Sequence, residues 1–310
     1  MLLELEERLR DTGAAIAQHE KAMAKSQSPS LAAGLRSLQI RQKHLEADYV
    51  KVAERIGVDV CSYRLFADDE SKPLPAIALC SALEAFQNTF SVVYDAMRRG
   101  PRVKASLSAE VKEESEFQFG YAFSGSVGIV LKLSNKQMLV ESALDQSMES
   151  LFGLASASST NEVVEKSRTL GAAVVKAMHR WASHHVAAGF GVDVKWIRGN
   201  EEKARLTLQI PQLKALAETL SEATEDVEDT VVLRGVLVGT ETESSRRFHF
   251  KSDDGDDLKG PYSPQAITKE NPAATPVRYE ATFERKLKKV MATDEEISPT
   301  YLLVKLTPIN

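Results

Sequence analysis

Hydrophobic positions change period along this chain, and the changes divide it. From residue 1 to 57, apolar residues recur mostly at helical three-, four- and seven-residue steps: Leu2, Leu5, Leu9, Ile16 and Met23, then Leu31, Leu35, Leu38, Leu45, Tyr49, Val52 and Ile56. Such spacing lines them up on one stripe of a helix. Ser26-Gln27-Ser28-Pro29 separates the two runs, Ser30 is a fitting N-cap and Gly57 a fitting stop. The segment is therefore predicted to be an antiparallel helical hairpin of coiled-coil character. Its stripe is narrow, so an isolated hairpin buries little and must pack on a second copy, on a partner protein or on its own chain. Leu31, Leu35, Leu38, Leu45 and Tyr49 are the residues expected to carry oligomerisation.

Residues 58–221 mix both periods. Val58 to Phe66 predicts a strand, followed by a polar turn from Asp68 to Lys72. Ile77, Leu83, Phe86, Phe90, Val93 and Met97 predict a long buried helix ended by Gly100-Pro101, and 101–116 predicts a polar loop. Phe117, Phe119, Tyr121 and Phe123 alternate in a strand that Ser124-Gly125-Ser126 turns into the apolar strand Val127 to Leu133. Met138 to Val140 is a short strand or helix entry, Leu144 to Leu154 a helix, and Glu162 to Ala188 one long helix ended by Gly189. A second hairpin runs from Val192 to Ile210 around Gly199-Asn200, and Pro211 opens a helix to about Ala223. Hairpins in place of regular βαβ crossovers predict a central α+β domain. The acidic run 222–229 predicts a linker.

From 230 to 310 the period is two. Five strands, the first interrupted by Gly235 and Gly239, predict a small β-barrel of the OB or SH3-like kind. Such barrels bind ligands on an exposed face. The expected face has Phe248, Phe250 and Tyr279 for base stacking, with Arg246, Arg247, Arg285, Lys286, Lys288 and Lys289 for phosphates. The rival reading places those aromatics in the barrel core. Alternation puts Lys286 and Lys288 on one side of their strand, and Arg285 and Lys289 on the other.

Length and composition narrow the classes. A chain of 310 residues implies two or three domains, and a net charge of −5 excludes a protein that coats nucleic acid indiscriminately. Two cysteines, Cys61 and Cys80, provide neither a disulfide framework nor a zinc site and are expected to be buried thiols in a reducing cytoplasm. No uninterrupted apolar stretch of about 20 residues predicts a membrane span. No cofactor motif is present. The remaining chemical groups are His179, His184 and His185, the acids Glu110, Glu113, Glu114 and Glu116, and the Asp253–Asp257 run, which also suits a hairpin turn.

The hairpin, the α+β body carrying Phe119-Gly120-Tyr121-Ala122-Phe123-Ser124-Gly125-Ser126-Val127-Gly128, and the five-stranded barrel together resemble uncharacterised bacterial proteins. Some of those accompany mobile-element or phage-defence genes, which implies a bacterial setting. The expected function is a non-enzymatic binding and assembly protein, an accessory or sensor subunit that associates through residues 1–57 and recognises a partner protein or nucleic acid through the barrel. The alternative is a metal-dependent enzyme acting on a nucleotide or nucleic acid, its site formed by the three histidines and the acids of the central domain.

Overall fold

The leucine-rich start folds into α1 (Leu2–Lys25) and α2 (Pro29–Arg55), where Pro29 occupies the first turn, a position whose N–H has no helical partner. The computed structural model describes residues 1–26, 28–67, 74–123, 127–135, 142–199, 201–241, 246–268 and 272–309. The turns expected at 68–72, at 124–126 and at Asn200, and the element expected at 138–140, lie outside the described residues. The architecture is mixed α and β, with eight helices and two antiparallel sheets among the described residues, divided into units Met1–Ala223 and Thr224–Asn310.

In the first unit the chain continues through β1 (Val58–Phe66), α3 (Ala76–Arg99), α4 (Ala109–Glu114), β2 (Gln118–Phe123), β3 (Val127–Ser134), α5 (Ala143–Ala155), α6 (Thr160–Leu170), α7 (Ala172–Ala188), β4 (Gly191–Arg198), β5 (Glu201–Leu208) and α8 (Ile210–Glu222). The strands form one sheet in the order β2-β3-β1-β4-β5. Two departures from expectation have local causes. The polar segment 101–116 contains α4, which Ser108 caps by accepting from the Val111 amide. The single helix expected over 162–188 is broken at Gly171, whose φ of +83° leaves the helical region. A Cβ there would also overlap the backbone of Arg102.

Alternation along β1 sorts its residues to the two faces of this sheet. On one face Tyr63 meets Phe86 of α3, ring centroids 4.8 Å apart, and accepts a hydrogen bond from Trp181 of α7 at 3.0 Å. Cys61 and Leu65 are buried on the same face, whereas Cys80, expected to be buried, is exposed on α3. Among the described helices α3 alone is long and apolar enough to cross a membrane by length and composition. Phe86, Phe90 and Val93 are buried, as in a core helix. The outer strand β5 carries Glu201, Glu202, Lys203 and Arg205, charges that discourage edge-to-edge pairing.

The opposite face takes the hairpin. Leu5, Leu9, Leu45, Tyr49, Val52 and Ala53 pack with Val60, Tyr121 and Val130 in one buried cluster. Tyr49 stands edge-on to Tyr121 with centroids 5.2 Å apart, and its hydroxyl donates to Glu6 at 3.0 Å. Lys132 of β3 completes this buried carboxylate's shell at 2.9 Å. Leu45 and Tyr49, expected to make an oligomer, are thus 3% and 1% exposed against their own sheet. Leu31, Leu35 and Leu38 lie in the outer half of the hairpin, outside that cluster, and are half-buried. Leu45→Ala is expected to cost about 2–5 kcal/mol, as a cavity in a packed core does, read by urea denaturation. A cost near zero would mean that the hairpin is not docked.

Charge is buried at one end of the sheet. Arg198 donates to both oxygens of Asp59 at 2.6 Å and to Asp145 at 2.7 Å, while Asn135 donates to Asp59 at 2.8 Å. The partners and the hydrogen bonds of Ser142 hold Asp145 below the usual carboxylate range, although burial pushes the other way. Nearer the core, Tyr63 and His185 Nε2 share a hydrogen bond of 2.6 Å, and His185 Nδ1 lies 3.2 Å from the Phe190 carbonyl. Burial pushes the His185 pKa down from 6.5 to about 4, so the folded chain holds it neutral. Its contribution to stability is complete above pH 6.5 and is lost as pH falls toward 4, because there the unfolded chain takes up a proton that the folded one refuses. The loss should reach about 3 kcal/mol by pH 4. Urea titrations of wild type and His185→Gln at pH 7.5, 5.5 and 4.5 check it: their stability difference should shrink with acid, and a difference independent of pH would refute the assignment.

In the second unit, β6 (Thr224–Glu241), β7 (Arg247–Ser252), β8 (Asp257–Pro261), β9 (Val277–Val290) and β10 (Glu296–Pro308) form a sheet in the order β10-β9-β6-β7-β8. Residues 224–229, expected as an acidic linker, are the first third of β6. Each has a partner on β9, from Thr224 opposite Val290 to Asp229 opposite Arg285. Leu237, Phe250, Ala281, Phe283 and Leu303 form the centre of the core. The bend expected at the β6 glycines is a register shift between Leu237 and Gly239 against β7. The outer strands meet in a single bridge, Tyr262 with Leu303, supported by the Ser263 amide donating to the Leu303 carbonyl at 2.8 Å. No ladder joins β8 to β10 among the described residues, so the sheet is open where a closed barrel was expected. A reason is local: β8 is five residues long and ends in Pro261, which has no N–H to extend a ladder.

Candidate functional site

The face expected to bind nucleic acid lies on β7 and β9, and the backbone alternation divides its members. Phe248, Phe250 and Tyr279 point into the core of the second unit and are buried. Phe283 lies 5.2 Å from Phe248 and 5.4 Å from Phe250, centroid to centroid. They fill the sheet's interior, and bases have no access to them. Arg246 and Arg247 are exposed at the start of β7, away from the β9 cations in register. On β9, Lys286 and Lys288 share the exposed face, while Arg285 and Lys289 share the half-buried one.

Four basic residues of β9, Arg278, Arg285, Lys286 and Lys289, pair with acids, and Lys288 stands opposite Asp226 in register. Across the β6–β9 ladder, Glu225, Asp226, Val227, Glu228 and Asp229 stand opposite Lys289, Lys288, Leu287, Lys286 and Arg285 in turn. Arg285 donates through Nε and Nη2 to the two oxygens of Asp229 at 2.9 and 2.6 Å, and through Nη1 to Glu296 of β10 at 3.0 Å. Lys286 pairs with Glu228 at 2.7 Å and Lys289 with Asp294 at 3.1 Å. The Arg285 hydrogen bonds hold the Asp229 carboxyl below the usual range, and the one to Glu228 raises the Lys286 ammonium. Farther along β6, Arg234 and Glu280 make another cross-strand pair at 2.9 Å. The outer face is therefore a mixed, charge-matched surface and not a basic stripe.

What sequence reading missed is the partner strand. The signal was there in two mirrored five-residue runs, acid-acid-Val-acid-acid and base-base-Leu-base-base, fifty-odd residues apart. Opposite charges directly across a ladder favour pairing in that register.

The groups named for an enzymatic site do not converge. His185 is buried beneath Tyr63, and His184 lines a cavity of about 70 Å³ between α3 and α7 with Ser81, Glu84, Asn88 and Arg180. His179 is half-buried elsewhere on α7. Glu114 accepts from Tyr94 at 2.9 Å and pairs with Arg98, which also reaches Glu110 at 3.6 Å, while Glu113 and Glu116 are exposed. The acids of the β7–β8 turn serve the turn: Asp253 pairs with Arg278, Asp257 with His249, and the Asp256 amide donates to Ser252 at 3.0 Å around Gly255, whose φ is +99°. Among the described residues no group of three or more His, Cys, Asp or Glu side chains is arranged to hold a metal ion.

No protein family, curated protein or solved structure matches the chain.

Reversing one rung of the β6–β9 ladder tests its part in the sheet. Lys286→Glu places two carboxylates opposite each other and is expected to speed amide exchange of residues 226–230 several-fold, measured by hydrogen–deuterium exchange. Adding Glu228→Lys should restore protection. Equal exchange in all three proteins would show that the pair contributes nothing.

Proposed function

We propose that this chain is a non-enzymatic binding and assembly protein of the bacterial cytoplasm, an accessory or sensor subunit of a defence or mobile-element system. The observation that carries this reading is the one-sided docking of the hairpin. The cluster joining it to the sheet draws on Leu2, Leu5 and Leu9 of α1 and on Leu45, Tyr49, Val52 and Ala53 of α2, and on nothing between. About 20 Å of each helix, at 1.5 Å per residue, extends past that contact. This outer half is zipped helix to helix, tightly enough at Gly34 that a Cβ would come 3.1 Å from the His19 ring. It presents Ala33 and, one heptad on, Ile40, which is 57% exposed. We assign this arm to pairing with a second copy.

The second unit is the recognition module. Its sheet curls toward a small five-stranded barrel of the OB or SH3-like kind, a reading supported by the Tyr262–Leu303 bridge between the two outermost strands. Its charge-matched outer face and its inward aromatics favour a partner protein over bare nucleic acid on that unit.

Light scattering on the full chain tests the arm. At tens of micromolar the protein is expected to run at twice its 34.1 kDa mass or more. Ala33→Glu combined with Ile40→Glu should return it to the monomer without loss of helicity. A monomeric wild type would refute self-association through the arm.

A further inference from the structure

Charge is segregated along the helical hairpin. Its outer part, residues 10–44, carries six basic residues, Arg10, Lys21, Lys25, Arg36, Arg41 and Lys43, against two acids, Asp11 and Glu20. The part nearer the sheet, residues 1–9 and 45–57, reverses the balance with six acids against three bases. The arm therefore carries +4 on a chain whose net charge is −5, which leaves −9 on the rest.

All six cations are exposed, and among the described residues none of them is in an ion pair. On β9, by contrast, Arg285, Lys286 and Lys289 each hold a carboxylate. Gly34 of α2 lies against the His19 ring of α1, which fixes the level of one antiparallel helix against the other. Lys21 and Lys25 are thus near the tip, Arg36 is midway, and Arg10 comes level with Lys43. At 1.5 Å per residue the six span on the order of 20 Å of the arm.

Helix stability does not ask for this arrangement. Lys25 suits the last turn of α1, where the carbonyl end is negative. The first turn of a helix favours acids for the converse reason, yet α2 has none there, and no Asp or Glu precedes Glu46 on it. Like charges gathered on one narrow rod also repel one another. An anion from outside would relieve that repulsion. Residues 10–44 contain no Phe, Tyr or Trp, so the arm has no ring to stack on unpaired bases or to anchor in a membrane interface.

We propose that the arm binds the phosphate backbone of double-stranded nucleic acid. A duplex carries one phosphate charge per about 1.7 Å of its axis, so roughly a dozen lie along a rod of this length. A helix about 10–12 Å across also fits a DNA major groove about 12 Å wide. Contacts to phosphates position a protein without reading sequence. The negative remainder of the chain opposes a polyanion elsewhere, which confines the attraction to the arm. The site lies in a different unit from the face expected for nucleic acid. It uses the cations and not Ala33 or Ile40, so it stands whether or not two arms pair.

Fluorescence anisotropy of the full chain with labelled DNA and RNA duplexes of about 20 base pairs, at about 50 mM salt and upward, tests it, the two probes separating DNA from RNA. Binding to at least one is expected, weakening steeply with salt. Arg36→Gln with Lys43→Gln, which puts good helix formers in place of the cations, should weaken binding roughly ten-fold and lower the salt slope by roughly 1.8, the contribution of two phosphates on a duplex. Circular-dichroism melts verify folding. Light scattering of the same variant reads pairing apart from binding, and its mass should equal that of the wild type. Four results would each overturn the site: no binding of either duplex at low salt, a salt slope untouched by the substitutions, single strands of the same length bound as tightly as duplex, or polyglutamate or phosphatidylserine vesicles bound as tightly, which would point to an acidic protein or a membrane instead.

Discussion

Tyr49 sits where α2 meets the sheet, its ring edge-on to Tyr121 and its hydroxyl on Glu6, and that contact constrains the whole first unit. A narrow apolar stripe needs cover, and the hairpin finds it on the part of the sheet built from Val60, Tyr121 and Val130. Because only the proximal half of each helix has apolar residues in that cluster, the remainder of the hairpin extends as an arm. Among the described residues the cluster reaches only part of the sheet face as well, so the overlap of hairpin and sheet is incomplete on both sides.

The second unit resolves a charge problem differently. Its acidic and basic runs would each repel themselves in isolation, and the antiparallel register of β6 with β9 sets them against each other. Arg285 has two carboxylates around a half-buried guanidinium, and Lys289 is enclosed to a similar degree. The exposed pairs, such as Lys286 with Glu228, add less individually, since solvent and salt screen them. What they provide is register: a slip of one residue along this ribbon would move Val227 off Leu287 and turn each run's side chains to the opposite face.

Element types were largely legible in the sequence because period and punctuation agreed. The leucine spacing announced α1 and α2, and alternation announced β7 and β9. The failures came where a local reading was right but its tertiary use was invisible. Glu225 to Asp229 looks like a linker until its complement sixty residues on is placed beside it. Leu45 and Tyr49 fit an oligomer seam as well as a sheet, because periodicity identifies the buried stripe and not what buries it. Phe248 and Phe250 were legible as one face of a strand, and only the closing of the core decided which way that face points. The charge of the arm gave the weakest signal, since the acids nearer the sheet cancel it in any sum over residues 1–57.

The break at Gly171 bears on how relatives of this chain are to be recognised. Its positive φ disfavours every side chain, and the backbone of Arg102 occupies the space in which a Cβ would stand. The position therefore admits glycine for two independent reasons. Gly128 and Gly191 are constrained by the rings of Phe123 and Phe66 above them. When overall identity has decayed beyond detection, these three glycines, with an aromatic residue at the strand position opposite each of the last two, form a spaced pattern that geometry protects from drift.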